Sequence, residues 1–177
     1  LATKNARWLS WDDGRAIAQR LDPANKLDWN TAAVERKPGR ETPPPPFMTL
    51  TLQQEAGRKL RLSSRQTMQI AQQLYEGIEI GSERVGLITY MRTDSTNLSQ
   101  DAMGAAKNAI ENSFGAQYHK ARQFTTKSES AQEAHEAIRP TDFSQNQVAG
   151  DRNEQRLYEL IWKRAIASQM ADAEPVS

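Results

Sequence analysis

The sequence contains no cysteine. A disulfide framework and thiol chemistry are therefore excluded, and a reducing compartment suits the chain. No apolar run approaches the roughly 20 residues that a membrane-spanning helix requires, and nothing at the start resembles a signal peptide. Only 37% of the residues are hydrophobic, so we expect a high surface-to-core ratio or a surface that further chain normally covers. The chain opens on Leu1 rather than Met, and we interpret it as a fragment or a processed product.

The sequence also lacks an excess of charge of either sign, because the 177 residues carry a formal net charge of only +1. This balance argues against a uniformly basic nucleic-acid coat. The cations are nevertheless concentrated between positions 36 and 65, where seven Lys and Arg residues accompany two Glu residues. Such a cluster can bind phosphates, although a solvated surface is the commoner explanation for a patch of this size.

The first 40 residues predict strands and turns. Asp12, Asp13 and Gly14 form a turn signal between two short apolar stretches, so we expect a hairpin there. Residues 27–35 alternate between apolar and polar side chains and predict a second short strand. This block carries three of the four tryptophans but is too small to bury them alone. We interpret it as the edge of a larger β-rich domain.

Four consecutive prolines at positions 43–46 exclude a helix or a central strand and predict an extended polyproline II segment. We interpret this run as a stiff linker, and a ligand for an SH3-type domain is the less favoured alternative. Beyond it, capping and stop signals predict helices over about 49–60, 65–76, 100–114 and 151–170. In the second helix the predicted inner stripe consists of Met68, Ala71, Leu74 and Tyr75.

The densest set of functional groups lies in residues 86–95, GLITYMRTDS. Three apolar residues predict a short buried strand, and a phenol, a guanidinium, two hydroxyls and a carboxylate follow. This combination suits chemistry on a phosphodiester, with Tyr90 as the nucleophile, Arg92 as a clamp for phosphate oxygens and Asp94 as an orienting group. The alternative is a strand that runs into a turn, with Tyr90 a half-buried aromatic and Asp94 at the start of a helix.

A second cluster, residues 133–141 (EAHEAIRPT), places His135 between two carboxylates. We predict a short helix here that ends before Pro140, because the residue preceding a proline disfavours helical geometry. A metal site is disfavoured, since no second histidine follows at helical spacing and the chain has no cysteine.

Both clusters resemble the two hallmark motifs of the type IA DNA topoisomerases. Met91 is typical of the bacterial topoisomerase I branch, whereas topoisomerase III enzymes usually have Pro and reverse gyrases often His at that place. The strings TLQQEA (51–56) and TMQIAQQLYE (67–76) are similar to the same family. By this resemblance the expected catalytic residues are Tyr90, Arg92 and His135. The residues expected to contact DNA are Thr89, Thr93, Asp94, Arg139 and Arg65.

The resemblance also implies a mainly α fold with a tyrosine-bearing helical domain over residues 47–172. A β-rich edge of an arch domain and the proline linker, residues 1–46, would precede it, and residues 173–177 would return toward the arch.

The function implied by the resemblance is relaxation of negatively supercoiled DNA without ATP. One strand is cut with Tyr90 joined to the 5′-phosphate, another strand passes, and the 3′-hydroxyl reseals the gap. The family also needs Mg²⁺ on an acidic toprim cluster, which this sequence lacks, so we expect the Mg²⁺ ligands outside this chain and no activity from the chain alone.

The expected partner is single-stranded or negatively supercoiled DNA, with no membrane. We expect a monomer that acts at the nucleoid in the bacterial cytoplasm. The alternative from another class is a non-catalytic helical module, derived from the same fold, that binds DNA or another partner.

Overall fold

The computed structural model describes residues 10–21, 39–80, 83–124 and 135–175. These residues form five α-helices, one short hairpin and one 3-10 turn, so the mainly α fold is confirmed. The chain divides into two compact units, Leu1–Lys37 and Pro38–Ser177. No helix among the described residues is both long and apolar enough to cross a membrane.

In the first unit the described residues form helix α1, Trp11–Arg20. The hairpin predicted here is wrong. The Ser10 hydroxyl accepts a hydrogen bond from the Asp13 N–H at 3.1 Å, and two carboxylates in the first turn interact favourably with the helix dipole. The turn signal is therefore the first turn of a capped helix. The strand predicted over residues 27–35 lies outside the described residues.

The second unit contains the other four helices: α2 Thr49–Leu60, α3 Ser64–Glu76, α4 Gln100–Ser113 and α5 Arg152–Ser168. Each lies within two residues of its predicted bounds. Ser63, Ser99 and Asp151 cap three of them by accepting hydrogen bonds from backbone N–H groups in the first turn. Local capping chemistry therefore sets these helix starts.

Helices α2, α3 and α5 pack around one hydrophobic core, and α4 packs with α5 around a second. In α3 the buried residues are Thr67, Ile70, Ala71 and Leu74. Tyr75, predicted to face the core, is instead 40% exposed. Thr67 takes an inner position because its hydroxyl donates to the Ser63 carbonyl at 2.9 Å, which removes the cost of burying it.

A tight hairpin connects α3 to the stretch singled out in the sequence. Strands β1, Ile78–Ile80, and β2, Glu83–Val85, pair antiparallel. Gly77 ends α3 as predicted, with a φ of +85°, and a Cβ built on it would lie 1.9 Å from the Val85 carbonyl oxygen. Any other residue at this position would clash with the backbone of β2, so glycine is required where the chain returns across the end of α3.

Residues 87–89 pair with the second cluster. Leu87 and Ile88 are buried as predicted, but the predicted strand is reduced to a bridge between Ile88 and Pro140. The short helix predicted before Pro140 is wrong for the described residues 135–139. Their backbone is extended because the Ile138 N–H donates to Phe47 and the Arg139 carbonyl accepts from Thr89, both in other segments.

The ends of the second unit lie side by side. Glu41 and Ala173 form an antiparallel bridge, and the Gly39 N–H donates to the Pro175 carbonyl at 2.8 Å. Asp172 forms ion pairs with Arg40, Lys120 and Arg122 beside this bridge, and these cations hold the pKa of its carboxyl far below the usual range. The chain thus leaves the unit next to where it enters.

Candidate active site

Tyr90 presents its ring at the surface between two other rings. The side chain is 40% exposed. The Tyr75 ring meets it in a T-shaped arrangement, with ring centroids 5.4 Å apart and planes at 66°. The centroid of the His135 ring lies 6.3 Å from that of Tyr90. The structure therefore brings the two predicted catalytic rings, Tyr90 and His135, together from segments 45 positions apart.

The backbone around Tyr90 is held by its neighbours in the sequence. Met91 is fully buried and Thr93 is 7% exposed, so the side chains of Tyr90 and Arg92 point outward between buried anchors. The Thr49 hydroxyl donates to the Met91 carbonyl at 2.8 Å and accepts from the Thr93 N–H at 2.9 Å. Sequence reasoning missed Thr49, because its only visible signal was its place at the start of α2.

Thr89 joins the two clusters. Its hydroxyl donates to the Ala137 carbonyl at 2.7 Å and accepts from the Arg139 N–H at 3.0 Å. Its own N–H donates to the Arg139 carbonyl at 2.9 Å. The structure thus gives Thr89 a role in fixing His135 and Arg139 beside Tyr90, and its contact with DNA stays a prediction.

Arg139 is anchored rather than extended into solvent. Its Nε donates to Glu136 at 3.1 Å and its Nη1 to the Pro140 carbonyl at 3.0 Å. The other oxygen of Glu136 accepts from the Ser99 N–H at 2.6 Å, at the start of α4. Burial raises the pKa of Glu136, but hydrogen bonds from Ser99 and Arg139 outweigh it and lower the pKa overall. Sequence reasoning did not assign Glu136 this linking role.

Replacing Glu136 with Gln is expected to lower the free energy of unfolding by about 1–2 kcal/mol at neutral pH. An amide has one acceptor oxygen where the carboxylate has two, so it cannot accept from Ser99 and Arg139 on separate oxygens as Glu136 does. Because the folded pKa is depressed, the carboxylate stabilises the protein above its ordinary pKa, and this gain is lost as the pH falls. The difference between wild type and variant should therefore shrink in acid.

Thermal melting of both variants checks this expectation. The matched control is Glu159→Gln, which removes an exposed ion pair with Lys163 and should cost less than about 0.5 kcal/mol. Equal melting shifts for the two variants would contradict the role of Glu136.

Arg92 lies where two open grooves meet. One groove, of about 650 Å³, is lined on this side by Arg92, Thr93, Asp94 and His135. The other, of about 770 Å³, runs along α3 and has Arg65 as its second cation. The buried Thr93 hydroxyl accepts from the Ser95 N–H at 3.0 Å, so in this structure it organises the turn.

This arrangement offers an exposed phenol, a nearby guanidinium and an imidazole, which suit nucleophilic attack on an ester and stabilisation of the charge that develops. It does not offer a metal site. Within the described ranges no three His, Cys, Asp or Glu side chains are grouped closely enough to hold an ion.

Tyr75 is a further aromatic at this site, and its ring should matter more than its hydroxyl. Replacing Tyr75 with Leu removes the edge contact that orients Tyr90, a contact worth about 0.5–1.5 kcal/mol, so reaction at Tyr90 should slow about three- to tenfold. Tyr75→Phe keeps the ring and should stay within about twofold of wild type. Single-turnover rates for both variants, with ligand affinity measured separately, distinguish positioning from binding. Equal losses in Leu and Phe would contradict this role.

Comparisons with known proteins agree on one family. A family model described as DNA topoisomerase matches residues 2–176. DNA topoisomerase 1 of Xylella fastidiosa (strain Temecula1) is 50% identical over 169 residues, which cover 92% of this chain and 21% of that protein. The Synechococcus elongatus DNA topoisomerase 1 is 48% identical over 178 residues, covering 98% of this chain and 19% of that protein.

A solved structure shows the same fold. Full-length topoisomerase I from Thermotoga maritima matches with a TM-score of 0.72 at 38% identity, over 98% of this chain and 27% of that one. The chain therefore spans about a fifth of the length of the curated relatives it matches.

Proposed function

Because this chain belongs to the bacterial type IA DNA topoisomerases, we propose that it is the part of such an enzyme that carries the nucleophile. The complete protein then relaxes negatively supercoiled DNA by cutting one strand, passing another through the gap and resealing the cut. The observation that carries this proposal is the exposed Tyr90 ring, which lies against the rings of Tyr75 and His135, with the exposed Arg92 two positions further along the chain.

In the proposed reaction the phenolic oxygen of Tyr90 attacks the phosphorus of one phosphodiester. The bond from this oxygen to phosphorus forms, and the bond from phosphorus to the 3′-oxygen of the preceding nucleotide breaks. The phenol loses its proton, and the leaving 3′-oxygen gains one. The phosphotyrosyl ester conserves the bond energy, so the 3′-hydroxyl can reverse the attack and reseal the strand without ATP.

Arg92 and His135 serve this reaction through charge and hydrogen bonding. Arg92 is a two-pronged cation that matches the non-bridging oxygens of a phosphodiester, where charge increases in the transition state. His135 lines the same groove as Arg92, which supports a role as hydrogen-bond donor to the scissile or an adjacent phosphate. Arg139 and Thr89 hold this arrangement together through the bonds described above.

The remaining catalytic parts belong to the rest of the enzyme. The described residues do not fit a Mg²⁺ site, and we propose that the ligands of this ion lie outside the chain. The 177 residues alone are accordingly expected to give no measurable plasmid relaxation, and relaxation by the purified chain at catalytic amounts would contradict this.

End-labelled DNA tests the proposed polarity. The complete enzyme is incubated with a single-stranded oligonucleotide labelled at its 5′ or 3′ end, and the reaction is stopped with detergent. Attack on the 5′-phosphate predicts that only the 3′-labelled fragment becomes attached to protein. Attachment of the 5′ label would contradict the proposal, and binding without any adduct would favour the non-catalytic module.

A further inference from the structure

The two ends of the second unit pair with each other in a short neck, residues 39–41 and 173–175. Glu41 and Ala173 exchange two backbone hydrogen bonds, each of 2.9 Å, and a third bond joins residues 39 and 175. This is the bonding pattern of an antiparallel strand pair. The polypeptide therefore enters and leaves the unit that carries Tyr90 through one two-stranded segment.

Asp172 connects this neck to the body of the unit. One of its oxygens accepts from the Arg40 Nε at 2.5 Å and from the Lys120 Nζ at 3.1 Å, and the other forms an ion pair with Arg122. The Asp172 side chain is only 7% exposed, and hydrogen bonds from Arg40, Lys120 and Arg122 hold the pKa of its carboxyl far below the usual range. One carboxylate thus joins the entering segment, the leaving segment and a third segment.

The third segment is itself fixed to the end of helix α5. The Arg122 N–H donates to the Gln169 side chain at 3.1 Å, and the Gln169 amide donates to the Arg122 carbonyl at 2.9 Å. The Lys120 N–H donates to the Gln169 carbonyl at 2.9 Å, and Gln169 is fully buried. Asp172 is therefore held from inside the unit, and Arg40 ties the entering segment to it.

In the reaction proposed above, every movement of this unit acts on the neck. Tyr90 carries one end of the cut strand, so the gap widens only if the unit moves relative to the part of the enzyme that holds the other end. The unit must then return, because the 3′-hydroxyl reseals the strand only when it is close to the phosphotyrosyl ester and correctly oriented. The geometry of the neck therefore affects how well the two ends are realigned.

We propose that Asp172 is a positioning residue that keeps the neck paired throughout the reaction, so that the unit carrying Tyr90 moves away and returns as one body. The inference rests on the proposed function. Without the carboxylate, Arg40, Lys120 and Arg122 would lie close together without the charge that now pairs with all three, and like charges repel. Loss of Asp172 should thus loosen the neck and slow resealing, while the surroundings of Tyr90 stay unchanged.

Asp172→Asn in the complete enzyme tests this role, because Asn keeps the size of the side chain and removes its charge. Plasmid relaxation should slow about fivefold, and the fraction of plasmid trapped as a protein adduct by detergent should rise about threefold, since resealing is delayed. Cleavage of a short single-stranded oligonucleotide and affinity for it should both stay within about twofold. A merely structural role would instead lower the melting temperature and all of these activities together.

Arg40→Ala breaks the same connection from the other side. The Arg40 side chain is 67% exposed, so its removal leaves the core intact, and relaxation should slow as it does in Asp172→Asn. Because both residues act through one contact, the double variant should be no slower than Asp172→Asn alone. The matched control is Lys163→Ala, which removes an exposed ion pair with Glu159 and should relax plasmid at the wild-type rate.

A disulfide across the neck tests the pairing itself. Glu41 and Ala173 are directly opposite, hydrogen-bonded partners, and the Cα atoms of such a pair are about 5.5 Å apart, which a disulfide can span. In the Asp172→Asn enzyme that also carries Glu41→Cys and Ala173→Cys, oxidation should restore the wild-type relaxation rate, and dithiothreitol should remove the gain. The Asp172→Asn enzyme without the new cysteines, treated in the same way, is the control.

Three results would overturn the proposal. The first is wild-type relaxation by Asp172→Asn, and the second is an oxidised disulfide, confirmed by mass spectrometry, that fails to restore relaxation. The third is loss of relaxation when the same disulfide is formed in the enzyme that retains Asp172, because the neck would then have to open. Failure of the unaltered enzyme to cleave the oligonucleotide would instead contradict the proposed function, so the two failures are distinguishable.

Discussion

Replacing Tyr90 with Phe in the complete enzyme is expected to lower the rates of strand cleavage and plasmid relaxation by a factor on the order of 10⁴ or more. The substitution removes one oxygen atom and keeps the ring that packs against Tyr75. Because phenylalanine has no oxygen to attack the phosphorus, no covalent intermediate can form. Relaxation of negatively supercoiled plasmid, followed on a gel, measures the loss.

Binding and a second tyrosine provide the controls. Affinity for single-stranded DNA should stay within about threefold, since one neutral hydroxyl contributes little beside the phosphate contacts. Tyr118→Phe removes the same atom from a tyrosine that is 48% exposed and should relax plasmid at the wild-type rate. Full activity in the Tyr90 variant would rule out its assignment as nucleophile.

Replacing Arg92 is expected to produce the next largest effect. Arg92→Ala should slow single-turnover cleavage about 100- to 1,000-fold, the usual cost of removing a donor that stabilises transition-state charge. Arg92→Lys keeps the charge but loses the planar fork that contacts two phosphate oxygens at once, so it should recover only part of the rate.

The comparison of rate with affinity separates catalysis from simple attraction. If Arg92 acts in the transition state, the cleavage rate falls much more than the affinity for an uncleaved oligonucleotide. A loss of affinity as large as the loss of rate would show that Arg92 contributes to DNA binding and not to stabilisation of the transition state. Full recovery by Lys would show that charge alone is sufficient.

The helices of the second unit could be predicted because their signals are local. Ser63 and Ser99 cap the helices that they were expected to precede, and Asp151, predicted as the first residue of the last helix, is its N-cap. Gly77 ends α3 with a positive φ that favours glycine. The position of Tyr90 next to His135 could be expected from the family resemblance. No periodicity or spacing in the sequence places these two residues together.

The failures have physical causes in long-range contacts and in ambiguous local signals. Residues 135–139 favour a helix locally, but backbone bonds to Phe47 and Thr89 hold them extended. The Asp12–Gly14 signal suits either a turn or a capped helix, and the Ser10 cap selects the helix. Tyr75 directly follows Leu74, the last buried residue of α3. At the border of the buried stripe, the rotation of the helix about its axis determines whether a side chain faces the core or the solvent.

The roles of Thr49 and Glu136 could not be predicted for a different reason. Thr49 and Glu136 act by bonding to backbone groups of distant segments, and side chains of this kind carry no sequence pattern of their own. Their roles follow only from coordinates.

Mapping the DNA–protein adduct tests the central claim most directly. The complete enzyme is trapped on a single-stranded oligonucleotide, digested with nuclease and protease, and sequenced by mass spectrometry. We predict one modified peptide, spanning residues 86–95, with a nucleotide 5′-phosphate on the Tyr90 oxygen. An adduct on Tyr75, on any other residue, or on the 3′-phosphate of the DNA would contradict this account.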